Sequence, residues 1–441
     1  MANLITNVSK YLMILLIAIY TYYNFRFFGV GDEDQKRHLC RLQNVILVLI
    51  HTLAYTIIYL RTEDEKALMF FGAQLLFFFL YMGLYRLFYH NLSRLLLNNA
   101  CMLLSTSFII MTRLSMDRAV RQFAIVVAAA AVTMIIPFIM DRAWQLSKIP
   151  WVYGSIGLLL LLVVCVMGNT AFGAQLSITI GSFSFQPSEF VKISFVFFVA
   201  TMFYRSTDFK TVVITTAAAA AHVLVLVLSK DLGSALIFFV TYLLMLFVAT
   251  NNWLYLGLGA GCGSAAAVFA YQMFSHVRTR VEAWLDPWSD IAGKGYQISQ
   301  SLFAIGTGGW FGMGLYQGMP SKIPVVEKDF IFSAISEELG GIYALCLILI
   351  CLGCFMQFML IAVRMQAMFY KLIAFGLGTA YIVQVFLTIG GVTKFIPSTG
   401  VTLPFVSYGG SSILSTFIVF NVVQGLYILK RNEEEEEYEA E

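Results

Sequence analysis

Long apolar runs dominate the chain, and short polar segments separate them. Because the hydrocarbon core of a bilayer needs about 20 apolar residues per spanning helix, each of these runs can cross a membrane. We identify candidate spans near residues 11–29, 43–60, 67–88, 95–112, 122–140, 150–168, 188–204, 210–228, 232–250, 253–273, 333–362, 370–390 and 405–429. The pattern predicts an all-α polytopic membrane protein with about 13 transmembrane helices and one long extracellular loop.

The composition supports a membrane protein. Hydrophobic residues make up 59% of the 441 residues, and charged residues only 12%, against about 25% in ordinary soluble domains. A soluble globular protein is therefore excluded. The net charge of +3 includes seven acids within the last nine residues, so residues 432–441 are predicted to form a solvated, disordered acidic tail on the cytoplasmic side.

The distribution of Lys and Arg in the short loops predicts the orientation of the chain. The loop at 168–187 holds no Lys or Arg, whereas the segment after the first run holds several: Arg26, Lys36, Arg37 and Arg41. The first loop is therefore predicted to be cytoplasmic, which places the N-terminus outside and the C-terminus inside. Three arginines fall on the wrong side of this scheme: Arg113, Arg118 and Arg121.

One long polar segment, 274–329, is external by the same count, and loops of this length are often functional. Asp329 lies where this segment meets the next apolar run, and Glu337 and Glu338 follow two turns later. Eight residues of helix rise about 12 Å, so the three acids indicate a polar cavity that opens to the outside. For Glu337 and Glu338, bonding to backbone at a helix break before Gly340 is an equally good interpretation.

A few ionisable residues lie within or beside the apolar runs, where they are costly and often functional. Glu189 and Lys192 are three residues apart at a helix start, so they share a face and can neutralise each other. A structural ion pair and a substrate contact are equally consistent with that spacing. Asp231 precedes an apolar run, and capping of the helix N-terminus alone would explain it.

A stretch rich in Gly, Pro and hydroxyl side chains, 390–412, separates the last two runs and includes Lys394 and Ser398. Irregular backbone at membrane depth persists only where protein or a water-filled cavity satisfies its polar groups. We therefore predict a re-entrant segment that lines the same cavity as Asp329.

Six motifs, taken in order, resemble the FtsW/RodA/SpoVE family, also called SEDS proteins, from about Leu95 to Arg431. They are QPSEFVK (186–192), DLGSALI (231–237), RTRVEAWLDPW (278–288), GYQISQS (295–301), DFIFSAISEELG (329–340) and TGVTLPFVSYGGSS (399–412). The resemblance implies a ten-span core preceded by about three additional helices. The predicted organisation is N-terminal helices at 1–92, a core at 93–431 that includes the extracellular loop 274–329, and the acidic tail at 432–441.

The family polymerises lipid II outside the cytoplasmic membrane beside a class B penicillin-binding transpeptidase. The resemblance therefore implies a multi-pass plasma-membrane peptidoglycan glycosyltransferase of cell division, elongation or sporulation. Its implied partners are lipid II, the transpeptidase and the bilayer, with no nucleic acid and no tightly bound cofactor. It assigns the essential acid to Asp329, the Asp of DFIF.

Glycan polymerisation requires a base for a sugar 4-hydroxyl and positive charge for the leaving pyrophosphate. Asp329 is the predicted base, and Arg278, Arg280 or a divalent cation is predicted to compensate the pyrophosphate. The residues predicted to contact substrate are Arg278, Arg280, Glu189, Lys192, Gln297, Gln300, Lys394 and Ser398. The residues predicted to shape the cavity are Asp231, Glu337 and Glu338.

The chain departs from the family pattern at three places. Glu327 and Lys328 stand where His-Thr commonly precedes the catalytic Asp. Leu176 and Ser177 stand where Arg-Trp is usual, and Lys230 replaces a proline that often precedes the DLG motif. These departures keep open a non-catalytic scaffold for a class B penicillin-binding protein. The acid-lined cavity keeps open a second alternative, a transporter that moves lipid II across the bilayer.

Overall fold

A computed structural model of the chain describes residues 2–141, 147–171, 174–180 and 183–440. Its helices are α1 (Ala2–Gly29), α2 (Glu33–Thr62), α3 (Glu65–Phe88), α4 (Arg94–Leu114), α5 (Met116–Thr133), α6 (Ile136–Asp141), α7 (Pro150–Met167), α8 (Pro187–Arg205), α9 (Phe209–Leu228), α10 (Leu232–Thr250), α11 (Trp253–Met273), α12 (Ser275–Leu285), α13 (Tyr296–Gly308), α14 (Ile331–Leu339), α15 (Gly341–Arg364), α16 (Met368–Val392) and α17 (Gly410–Ala440). Within the described residues, 13 helical segments are long and apolar enough to span a membrane, α5 and α6 together forming one of them. The predicted fold class is confirmed.

Polar residues and prolines set several helix starts. Asp32 accepts hydrogen bonds from the backbone N–H groups of Asp34 and Gln35 at the start of α2. Asp64 accepts one from Lys66 at the start of α3. Helices α7 and α8 begin with proline, which lacks the N–H that a first helical residue would leave unpaired. The short polar segments between runs therefore end one helix and begin the next.

The chain folds as two compact units. The first unit comprises residues 1–132, 283–354 and 388–409. The second unit comprises residues 133–282, 355–387 and 410–441. Helices α1, α2 and α3 therefore belong to the same unit as α4, α13 and α14, while the division of the chain near residue 93 stays a prediction.

Helix α4 is buried along its whole length, and its polar side chains bond to the N-terminal helices. The Asn98 amide donates to the Cys40 carbonyl at 2.9 Å, and the Asn99 amide donates to Asn24 Oδ1 at 2.8 Å. Two further pairs lie at 2.8 and 2.7 Å: His51 with Ser105, and Tyr55 with Thr112. Such bonds between membrane helices stabilise helix packing by roughly 0.6 kcal/mol each. They therefore stabilise the packing of α1 and α2 against α4.

The loop between α7 and α8 forms a small antiparallel sheet, which the sequence analysis did not predict. Its strands are β1 (Asn169–Ala171), β2 (Ala174–Ile180) and β3 (Phe183–Phe185), in the order β1-β2-β3. Ile178 pairs with Phe185, and Ile180 pairs with Phe183. The signal was present, because apolar and polar residues alternate along LSITI with the period of a strand.

The apolar run predicted at 333–362 is divided into α14 and α15 at Gly340. This glycine has a φ of +96°, and a Cβ added there would lie 2.5 Å from the backbone nitrogen of Gly312. Only glycine adopts such a backbone conformation without strain and allows so close an approach. The helix break considered as an alternative for this region is therefore present.

Gly340→Ala should destabilise the protein by at least about 2 kcal/mol, because left-handed strain and the clash with Gly312 add together. The matched control is Gly306→Ala, in the interior of α13, where an added Cβ meets nothing within 4 Å. The free energy of unfolding of that control should rise by up to about 1 kcal/mol, because alanine has a higher helix propensity than glycine. Thermal unfolding in detergent measures both, and equal shifts for the two variants would contradict the steric argument.

The loop 274–329 and the C-terminus both contain helix, and only the C-terminus differs from the expectation. The long loop has structure of its own, since it contains α12, α13 and a 3-10 turn at Pro320–Lys322. Residues 432–440, which were predicted to be disordered, are instead helical and continue α17 to Ala440. Two ion pairs one turn apart support the first part of this continuation: Lys430 with Glu433, and Arg431 with Glu434, both at 3.6 Å.

Candidate functional site

A buried charged cluster lies in the second unit around the start of α8. Lys192 Nζ lies 2.5 Å from Glu189 Oε2 and donates to Gln384 Oε1 at 2.6 Å. Ser415 Oγ donates to the same Glu189 oxygen at 2.9 Å. Glu189 and Lys192 are only 7% and 8% exposed, so each charge is compensated inside the protein. The predicted ion pair is present.

Asp231 lies beside this cluster and caps α10. Its carboxylate accepts a hydrogen bond from the Ser234 backbone N–H at 3.1 Å and another from Ser188 Oγ at 3.1 Å. Ser188 immediately precedes Glu189 on α8, so the QPSEFVK and DLGSALI motifs are in contact. The capping role predicted for Asp231 is thus accompanied by a link to α8 that the sequence did not reveal.

The two arginines predicted to compensate a pyrophosphate lie on α12, in the second unit. Arg278 is exposed; its guanidinium donates to the Gln272 carbonyl at 3.1 Å and lies 5.8 Å from the ring centroid of Tyr271. Arg280 is half-buried. Both residues lie within the first two turns of α12.

Asp329 lies in the first unit, half-buried, in the turn that leads into α14. The backbone of the two residues before it is held by the stretch that follows α16. The Tyr408 N–H donates to the Glu327 carbonyl at 2.7 Å, and Ser407 Oγ donates to the Lys328 carbonyl. The DFIF motif and the TGVTLPFVSYGGSS motif are thereby brought together around the predicted catalytic acid.

Three glutamates near Asp329 form contacts that hold the segment in place. Glu327, where the family commonly has His, pairs with Arg118 of α5. Glu338 Oε1 accepts from Arg113 Nε at 2.8 Å. Glu337 Oε1 accepts from the Met319 backbone N–H at 2.8 Å. The backbone interpretation therefore describes Glu337, whereas Glu338 has a buried ion pair.

Two of the arginines that depart from the orientation scheme form ion pairs. Arg113, at the end of α4, and Arg118, at the start of α5, are each paired with an acid of the segment 274–339. Burial raises the pKa of Glu338, on the short α14, to about 7, and the attraction of Arg113 opposes that rise. The acid thus depends on its arginine to remain charged near neutral pH.

The other predicted contact residues lie in the first unit. Gln297 and Gln300 are half-buried on α13. Lys394 has a left-handed φ of 60°, and its carbonyl accepts from Trp284 Nε1 at 3.1 Å. Ser398 is half-buried in the irregular stretch 393–409, and the absence of helix there agrees with the predicted irregular backbone.

Several contact residues were missed because no local pattern marks them. Ser301 Oγ lies 2.7 Å from Ser333 Oγ and donates to the Val392 carbonyl at 2.8 Å, which joins α13, α14 and the end of α16. Gln384 and Ser415 complete the Glu189 and Lys192 cluster. Their only sequence signal is a polar residue within an apolar run.

The predicted site residues are thus divided between the two units. The second unit holds Glu189, Lys192, Asp231, Arg278 and Arg280. The first unit holds Asp329, Glu337, Glu338, Gln297, Gln300, Lys394 and Ser398. Among the residues that the structure describes, no group of three or more His, Cys, Asp or Glu side chains could hold a metal ion.

Comparison with known proteins identifies the family. Residues 85–432 match the FtsW/RodA/SpoVE family of cell cycle proteins. The chain belongs to this family. The peptidoglycan glycosyltransferase RodA of Mycobacterium tuberculosis is 34% identical over 316 residues, which cover 67% of this chain and 67% of that protein. The probable peptidoglycan glycosyltransferase FtsW of Aliivibrio salmonicida is 35% identical over 272 residues, 59% of this chain and 67% of the relative.

Solved structures are similar in fold to this chain. A structure of a peptidoglycan synthase complex that coordinates polymerisation and crosslinking matches with a TM-score of 0.64 and 22% identity, covering 77% of this chain and 98% of that one. The rod shape determining protein RodA of Thermus thermophilus matches with a TM-score of 0.55 and 21% identity, covering 76% and 96%. These likenesses establish a polytopic helical membrane fold for this family member.

Proposed function

We propose that this protein is a peptidoglycan glycosyltransferase that polymerises lipid II on the outer face of the cytoplasmic membrane. The observation that carries the proposal is Asp329, a half-buried acid in the turn before α14, in a chain that belongs to the FtsW/RodA/SpoVE family. The relatives named as peptidoglycan glycosyltransferases support the same reaction.

In the proposed reaction, the Asp329 carboxylate accepts the proton of the acceptor's 4-hydroxyl. The hydroxyl oxygen then attacks the anomeric carbon of the donor, and the bond from that carbon to the lipid pyrophosphate breaks. Configuration inverts because the attack is direct. Arg278 and Arg280 compensate the negative charge of the departing pyrophosphate, with a divalent cation as the alternative. Base assistance of this kind supplies about 10²- to 10⁴-fold in rate.

The remaining residues divide into two proposed roles. Gln297, Gln300, Lys394 and Ser398 are proposed to contact the substrate from α13 and the irregular stretch 393–409. The buried charged residues that already have partners inside the protein are proposed to shape the cavity: Glu189, Lys192, Asp231, Glu337 and Glu338. The full compensation of Glu189 and Lys192 inside the protein favours that shaping role.

A class B penicillin-binding transpeptidase is the proposed protein partner, and the C-terminus is proposed to be cytoplasmic. The fold shared with a peptidoglycan synthase complex supports the first point. The second is supported by the basic residues Lys430 and Arg431 near the end of the last span.

The deciding experiment incubates the purified full-length protein with labelled lipid II, with and without a cognate transpeptidase, and measures glycan strands on gels. Polymer formation is the expected result. Translocation of lipid II in vesicles without polymer would identify a transporter instead. Binding of the transpeptidase, with no polymer under either condition, would identify a scaffold.

A further inference from the structure

The register between α10 and α11 places the start of α10 beside the end of α11. The two helices run antiparallel and are joined by two residues. A Cβ added at Gly259 would lie 2.3 Å from the Leu243 side chain, and one added at Gly263 would lie 2.5 Å from the Phe239 ring. One turn forward along α11 therefore corresponds to one turn backward along α10. The same register brings the turn before α10 next to the junction of α11 and α12.

Lys230 occupies this turn in a left-handed conformation, with a φ of 61°. Its backbone N–H bonds to the Val227 carbonyl at 3.0 Å, and that of Asp231 bonds to the Leu226 carbonyl at 2.9 Å. This pair of bonds is the Schellman arrangement that ends a helix. Proline, which often stands here in the family, cannot adopt a positive φ. The turn of this chain is therefore built differently, and it carries an exposed ammonium group.

His276 and Arg280 face the same side of α12, because they are one helical turn apart. The His276 Nε2 atom is buried and has no hydrogen-bond partner among the described residues. The register of α10 and α11 brings the turn at Lys230 next to the start of α12. Burial and the positive charges of Arg280 and Lys230 all lower the pKa of His276, in agreement with that placement. Two cations and a neutral imidazole N–H are donors suited to phosphate oxygens.

We propose that Lys230, His276 and Arg280 bind the diphosphate of the lipid-linked sugar donor. The inference rests on the proposed function and adds two residues, Lys230 and His276, that lie outside the motifs used to assign it. A single phosphate, as in a phospholipid headgroup, presents fewer oxygens and less charge, so the cluster discriminates in favour of the diphosphate.

The test measures binding of undecaprenyl diphosphate to the full-length protein in phosphatidylcholine nanodiscs. Lys230→Gly removes the ammonium group but keeps the turn, since glycine readily adopts the left-handed conformation. It should raise the Kd about fivefold or more, because charge-assisted hydrogen bonds to phosphate are among the stronger ones. His276→Ala should raise it similarly, whereas Lys230→Arg should stay within about twofold of the wild type.

Lys210→Ala is the matched control, because Lys210 is an exposed lysine at the opposite end of α9, and its Kd should be unchanged. Undecaprenyl monophosphate and phosphatidylglycerol serve as competing anions and should displace the diphosphate only weakly. An unchanged Kd in both Lys230→Gly and His276→Ala, or equal competition by phosphatidylglycerol, would overturn the site. Binding needs no turnover, so a wild type that binds the diphosphate but never polymerises lipid II refutes the proposed function and leaves this site standing.

Discussion

Asp329→Asn should lower the rate of lipid II polymerisation by about 10²- to 10⁴-fold while leaving the folded protein intact. The substitution keeps the size and one oxygen of the side chain but removes the basic carboxylate, so the acceptor hydroxyl loses the group that takes its proton. The rate is measured with purified protein and labelled lipid II. The thermal unfolding midpoint should stay close to that of the wild type, because Asp329 is only half-buried.

Asp286→Asn is the control for this prediction. Asp286 is an exposed acid in the same segment, and its Oδ1 accepts from the Trp288 N–H at 3.1 Å, a contact that asparagine can preserve. Its polymerisation rate should match the wild type. Full activity in Asp329→Asn, or an equal loss in both variants, would show that Asp329 is not the base.

Lys192→Met should destabilise the protein by about 3–5 kcal/mol, because it leaves the Glu189 carboxylate buried without its cation. Among the residues that the structure describes, Ser415 would then be the remaining side-chain donor to the Glu189 carboxylate. Thermal unfolding in detergent and the yield of folded protein measure this effect. A midpoint within a degree or two of the wild type would mean that the buried charge is satisfied in another way.

The exchanged pair, Glu189→Lys with Lys192→Glu, should be more stable than either single change. A lysine at position 189 can still meet Ser415 Oγ as an acceptor, and a carboxylate at position 192 can accept from the Gln384 amide once that amide is rotated. The exchange therefore separates the loss of an ion pair from the loss of particular side chains. If it is no more stable than Lys192→Met, the positions are not interchangeable.

The spans could be predicted because their signal is local. Each apolar run needs only its own residues to indicate a membrane helix, so 13 were expected and 13 are present among the described residues. The break at Gly340 is different, because it depends on the close approach of Gly312. The residues of an apolar run do not indicate where a contact with a residue distant in sequence breaks the helix.

The candidate site could be predicted in part for the same reason. Glu189 and Lys192 are one turn apart, so their pairing follows from the helix itself. The partners of Glu338 and Glu327 are arginines more than 200 positions away in sequence, and no periodicity in a single sequence identifies such pairs. What the sequence contained instead was an anomaly, since Arg113 and Arg118 violated the expected charge distribution.

The burial of α4 has a practical consequence for studies of a minimal enzyme. Deleting residues 1–92 to obtain the ten-span core would remove the hydrogen-bond partners of Asn98 and Asn99. Their side-chain amides would then be exposed to the hydrocarbon of the bilayer. Unsatisfied amides in lipid carry a penalty of several kcal/mol each. Such a shortened protein should therefore aggregate during extraction, and lost activity in it would report misassembly and not a role of the deleted helices in chemistry.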